Sequence, residues 1–281
     1  MSSRRALLLG LVGLFALCAC EWDLWAVATR PTVEERVREN LSGVPPAPDP
    51  VAVNPDSFRF AVFGDPQLGH DHQSSLGRFR QEVAYRRIDF FCVLGDLTED
   101  ATPDEADSIK FQLNQVGISY YVTMGNHDMY QADAWERFKD EYGPSCYAVV
   151  IADRIKLIFL DTADGTLGPT QFEWFESELA DGRFTKIVCT HFPVYDGEKP
   201  TKGRLASPAE RVKVQSLLEL SGTFAWCAGH THALRYMQVG RVRHLTCGAM
   251  APATDYGNPG YLLFTFAHDS LAWEFIELNW Q

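Results

Sequence analysis

Cysteine is scarce in this chain, 7 in 281 residues and scattered, which excludes a small scaffold stapled by disulfides. Basic residues are outnumbered, 25 Lys plus Arg against 37 Asp plus Glu, for a net charge of −12. An acidic surface repels polyanions, so extended nucleic acid is not an expected partner. The apolar run Ala6–Ala19 has 14 residues, short of the ~20 that span a bilayer as a helix. There is no internal repeat, no Gly-x-Ser-x-Gly elbow and no His-Glu-x-x-His helix, so serine-hydrolase and zincin chemistry lack support. What is present is apolar substance, 46% of residues, enough for a sizeable core and for one or two domains.

Arg4 and Arg5 precede the apolar run, and Leu17-Cys18-Ala19-Cys20 follows it. This reads as an export signal over 1–19, its end resembling a bacterial lipobox with Cys20 as the lipidated residue. Cys18 is unusual there, which leaves ordinary signal-peptidase cleavage open, and the paired arginines fit Sec and twin-arginine export alike. The expectation is an exported, periplasmic or cell-envelope monomer, held at the membrane by a lipid on Cys20 with Trp22 and Trp25 at the surface. Residues 20–57 read as a tether. One short helix, Thr32–Asn40, is followed by Pro45, Pro46, Pro48, Pro50 and Pro55, which forbid regular structure. The folded domain is expected at 58–281.

From Phe58 onward, short apolar runs alternate with helical patterns (Gln73–Arg87, Asp104–Val116, Thr170–Ala180, Pro208–Leu220), the signature of an α/β fold. Four runs end alike: Phe60–Phe63 in Gly64-Asp65, Phe90–Leu94 in Gly95-Asp96, Tyr120–Met124 in Gly125-Asn126-His127-Asp128, and Phe224–Ala228 in Gly229-His230-Thr231-His232. A fifth, Lys186–Cys189, ends in Thr190-His191. In α/β sheets the functional crevice lies beyond the carboxyl ends of the strands, and a glycine there permits a sharp turn. Five strands thus deliver carboxylates, an amide and imidazoles to one edge. Four more runs (Tyr236–Val239, Val242–Leu245, Tyr261–Phe266, Trp273–Leu278) follow without a helix between them, which predicts a second sheet packed on the first. The donor set is a mixed oxygen and nitrogen one suited to Mn, Fe or Zn, and it is large enough for two divalent ions.

In order and content these blocks resemble the calcineurin-like metallophosphoesterases, over roughly residues 58–267. The resemblance implies a four-layer β-sandwich flanked by helices and hydrolysis of phosphomonoesters or phosphodiesters by a two-metal-activated hydroxide. It implies that Asp65 and His232 bind one metal, that Asn126, His191 and His230 bind the other, and that Asp96 bridges them. His127 would assist the leaving group, held by a carboxylate for which Asp128 and Glu99 are the candidates. One position departs from the family: Gln67 stands where a histidine is usual. The Asp-Pro-Gln form resembles a subgroup that includes a eukaryotic calcineurin-like phosphoesterase. Gln67 remains a candidate ligand, and it is the one feature favouring a catalytically weak phosphate- or nucleotide-binding lipoprotein instead. The expected substrate is a small phosphorylated molecule or a phosphoprotein.

The remaining polar features have plainer readings. Cys92, Cys189 and Cys227 are expected to face the core as small hydrophobes. His70 and His72, and the charged loop from Tyr195 through Asp196, Lys199 and Lys202 to Arg204, are expected at the surface. Tyr256 and Asn258 fall in a turn.

Overall fold

The alternating runs fold into eleven strands and six α-helices in a computed structural model that describes residues 30–43, 45–69, 74–195, 203–251 and 259–278. In chain order the helices are α1 (Val33–Leu41), α2 (Leu76–Arg86), α3 (Pro103–Gln115), α4 (Ala134–Tyr142), α5 (Pro169–Leu179) and α6 (Pro208–Leu220). The strands are β1 (Ser57–Phe63), β2 (Phe90–Leu94), β3 (Ser119–Thr123), β4 (Tyr147–Ile151), β5 (Ile155–Leu160), β6 (Thr185–Thr190), β7 (Ala225–Ala228), β8 (Arg235–Val239), β9 (Val242–Thr246), β10 (Gly260–Ala267) and β11 (Ser270–Glu277). The leader, Cys20, Trp22, Trp25, His70, His72, Asp196, Lys199, Lys202, Tyr256 and Asn258 lie outside the described residues. No helix among the described residues is long and apolar enough to cross a membrane.

Two sheets face each other, one ordered β11-β10-β1-β2-β3 and the other β4-β5-β6-β7-β9-β8. Alternation along each strand explains the layering, because successive side chains point to opposite faces. On β1, Phe58, Phe60 and Val62 enter the core between the sheets, while Ala61 and Phe63 face outward onto Phe79 of α2, in a cluster that also holds Ile109 of α3 and Trp135 of α4. On the second sheet, Leu157 and Cys189 face the first, while Ile158, Val188 and Trp226 meet α5 and α6 through Phe175 and Val214. The result is the helix–sheet–sheet–helix sandwich expected. Cys92, Cys189 and Cys227 lie between the sheets, and the five described cysteines are buried free thiols.

Two expectations are corrected. The four C-terminal strands do not make a sheet of their own. β10 pairs antiparallel with β1, and β11 with β10, whereas β9 pairs parallel with β7 and carries β8 on its outer edge. β1 would otherwise expose an edge beside an aromatic face. There Phe60 stacks on Phe90 at 5.0 Å and on Phe264 at 4.8 Å, and such ring pairs stabilise cross-strand contacts. β4, β5 and α4 were also absent from the sequence reading.

The second correction concerns the tether. The helix does form, capped by Thr32 with Glu35 in a reciprocal capping box, but it is packed into the body. Arg36 is fully buried and donates to both carboxylate oxygens of Asp161, at 2.8 and 2.9 Å. Asp161 also accepts from Ser145 Oγ at 2.7 Å, and the Asn40 side chain accepts from Ser145 N at 2.9 Å. Val33 and Val37 close over Cys146. Burial opposes the Arg36 charge, but Asp161 and Asp164 outweigh it and raise the guanidinium above its ordinary pKa. The packed body therefore begins well before residue 58.

Removing one partner of a buried pair strands the other. Arg36→Met should lower stability by about 3–5 kcal/mol, a fall in Tm of roughly 10 °C for a domain of this size. Thermal unfolding followed by circular dichroism measures this. An unchanged Tm would mean that α1 is not docked through this pair.

Candidate metal centre

The two sheets divide the donors between them. Sheet one carries the oxygens, Asp65 after β1, Asp96 after β2 and Asn126 after β3, and sheet two carries the imidazoles, His191 after β6 and His230 and His232 after β7. These strands are parallel neighbours within their sheets, so their carboxyl ends open at one edge of the sandwich.

The chain turns at the donors themselves. Asp65, Gln67, Asp96, His230 and His232 hold left-handed backbones, with φ of 54°, 38°, 50°, 67° and 52°. Non-glycine residues adopt that region at a cost and are enriched at functional sites. The sequence reading had assigned the turning to the glycines. At Gly125 and Gly229 the need is for space: a Cβ on Gly125 would collide with Asp96 Oδ1, and one on Gly229 would lie 2.5 Å from Asp65 Oδ2. These glycines let each buried carboxylate approach the neighbouring loop. His127 N donates to Asp96 Oδ1 at 2.9 Å, and His230 N donates to Asp65 Oδ1 at 2.9 Å.

Two groups of three ligating atoms lie within 4.8 Å of one another: Asp96, His191 and His230, and Asp65, Asp96 and His232. Asp96 belongs to both. His191 Nδ1 donates to Leu94 O at 2.8 Å, which aims Nε2 inward, 3.2 Å from Asp96 Oδ2 and 3.1 Å from both Asn126 Oδ1 and His230 Nδ1. Orientation by the other ring nitrogen is the usual support for a ligating histidine. Two lone-pair atoms pointed at each other, with carboxylates alongside, call for a cation. The oxygen and nitrogen donors fit a divalent ion of the Mn, Fe or Zn kind.

The electrostatics carry the same demand. Burial raises the Asp65 carboxyl to about 7, with Asp96 adding repulsion that His191 only partly offsets. Burial also opposes charge on Asp96, but His191 outweighs it and holds that carboxyl down at about 2. His191 is disfavoured as a cation by burial, yet Asp96 and Asp65 raise it to about 9.

Gln67 is half-buried, and its backbone N donates to Asp96 O at 3.0 Å. His127 is 22% exposed and Glu99 48%, so both reach solvent. Of the two candidate carboxylates, His127 has that of Glu99 beside it. Its Nδ1 meets the Glu99 carbonyl oxygen at 2.7 Å, whereas the Glu99 carboxylate stands 3.9 Å away. Asp128 is buried and turned elsewhere, accepting from Leu97 N and Thr98 N through Oδ1 and from Gly125 N through Oδ2. Four donors of two loops saturate it, counting the Thr98 hydroxyl, so it ties the Asp96 loop to the Asn126 loop. Burial and the nearby Asp96 raise its carboxyl to about 6. Tyr195 packs edge-on to His244 at 5.0 Å. Sequence reasoning missed Phe192, whose ring lies 3.8 Å from that of His230, and Tyr130, whose ring lies 4.7 Å from that of His127. Both were available as aromatics beside a ligand block.

Residues 58–234 match the calcineurin-like phosphoesterase family, and the chain belongs to it. A probable cyclic nucleotide phosphodiesterase from Fibrobacter succinogenes is 28% identical over 110 residues, 38% of this chain and 42% of that protein. The chain thus spans less than half of that relative's length. Among solved structures, a dimetal phosphatase from Danio rerio aligns with TM-score 0.61 at 13% identity, covering 78% of this chain and 95% of that one. A purple acid phosphatase from yellow lupin, Lupinus luteus, aligns with TM-score 0.62 at 15% identity, covering 82% and 53%. These likenesses to solved structures show the fold.

Binding a divalent ion at neutral pH should release protons, because burial raises the Asp65 carboxyl and the neighbouring carboxylates raise His191, and both must be deprotonated to ligate. Calorimetric titration of Mn²⁺ in buffers of different ionisation enthalpy measures this. Heats that do not depend on the buffer would contradict the arrangement.

Proposed function

We propose that the centre holds two divalent ions and hydrolyses small phosphomonoesters or phosphodiesters. The observation that carries this reading is the sharing of Asp96 by two donor groups whose other members do not overlap. Bound there, divalent ions would supply Lewis acidity, neutralising charge on the phosphoryl oxygens and making a water easier to deprotonate. The cyclic nucleotide phosphodiesterase relative supports a diester among the substrates.

The protein's own groups divide the remaining work. Asp65, Asp96, His191, His230 and His232, with the Asn126 oxygen, form the floor that holds the ions. His127 sits at the mouth with its backbone N fixed on Asp96 and its Nδ1 on the Glu99 carbonyl. A carbonyl accepts only, so Nδ1 carries the proton and Nε2 is the nitrogen presented to the cleft. As an imidazolium, His127 donates from Nε2 to the departing alkoxide oxygen. Asp128 acts through the loops, holding the Asp96 and Asn126 turns together. The Glu99 carboxylate stands half-exposed at the cleft rim.

Release of p-nitrophenol from the monoester and the bis-diester, with Mn²⁺ added, tests this. Asp96→Asn should abolish turnover of both, and His127→Ala should lower kcat by about 10²–10⁴-fold with metal uptake retained. Turnover by Asp96→Asn at the wild-type rate would overturn the reading.

A further inference from the structure

Asn126 poses a problem that its carboxylate and imidazole neighbours do not. The two ends of an amide have the same shape, but only the oxygen can face a cation. In the structure Oδ1 faces inward, 3.1 Å from His191 Nε2, and Nδ2 donates outward to Tyr130 Oη at 3.4 Å. That bond ties the outer end of the amide to the Tyr130 side chain. The Tyr130 ring also lies against the His127 ring at 4.7 Å, tilted 43°. One side chain therefore touches two members of the centre.

The turn that carries these groups is weakly closed by itself. Met129 N reaches Asn126 O at 3.3 Å, and Tyr130 N reaches His127 O at 3.4 Å, both long for amide bonds. An outside group reinforces it. Arg30 Nη1 donates to Met129 O at 3.2 Å, and Arg30 Nη2 lies 3.7 Å from Asp164 Oδ1. Asp164 accepts from Val33 N at 2.7 Å and stands 3.5 Å from Arg36 Nη2. A continuous set of contacts runs from the buried Arg36–Asp161 pair to the turn. Arg30 precedes the family-matched stretch, which starts at residue 58.

We propose that Tyr130 is a positioning residue that holds the Asn126 side chain in place at the centre, and that Arg30 holds the turn on which both sit. The inference rests on the reading of the centre as a two-ion site. It assigns to the segment before the family domain a part in setting metal affinity.

The test is Mn²⁺ titration calorimetry on the metal-free full chain, with kinetics at saturating Mn²⁺ on the same preparations. Tyr130→Phe keeps the ring and removes the acceptor. It should weaken one of the two sites about 10-fold or more, the usual scale for outer partners of a ligand, and leave the other unchanged. Arg30→Ala should weaken the same site, and Arg30→Lys should restore most of the loss. Tyr130→Phe titrating like wild type, or weakening both sites alike, would overturn the proposal. Failure of the wild type to take up Mn²⁺ would instead overturn the two-ion reading beneath it.

Discussion

Two carboxylates buried side by side repel each other and cannot both stay charged without a cation between them. Asp65 and Asp96 stand in that relation, both buried, at the ends of the paired strands β1 and β2. Most of the local structure answers this constraint. Each carboxylate accepts a backbone N–H from the next loop, and three imidazoles arrive from the facing sheet. The shared position of Asp96 follows from where β2 sits, between β1 and β3 in its sheet. The sandwich brings an oxygen-donating edge and a nitrogen-donating edge together, and neither sheet alone would make the site.

Much of this was legible in the sequence because the signal repeats. Apolar runs that end in a glycine and then a polar residue recur along the chain, and strands with that ending converge by topology. The part that was not legible depends on distance between segments. Nothing in Gly125 or Gly229 says that a carboxylate from another loop fills the space beside it, or that the donors carry the left-handed backbone. The Asp128 side chain looked like the natural partner of its neighbour His127. Three of its four donors lie in the Asp96 loop and the fourth is Gly125 N of its own loop, and His127 Nδ1 meets the Glu99 carbonyl oxygen, invisible as a side-chain pattern.

The segment before the family domain shows the same limit. Its proline-rich half read as a tether, and its helix looked like an isolated charged turn. Arg36 has a buried partner in Asp161, which ends β5, a strand that the sequence reading did not pick out. Without that strand there was no acceptor to match with the arginine. The last four strands were recognised individually, but their pairing depends on which strand edges are left open, and β1 and β7 supply those edges.

The central claim is a pair of ions on either side of Asp96. Anomalous diffraction at the manganese edge from crystals soaked in Mn²⁺ tests it directly. The account predicts two peaks about 3.5–4 Å apart, one beside Asp65 and His232, the other beside Asn126, His191 and His230. A single peak, or peaks that leave Asp96 uncoordinated, would contradict it.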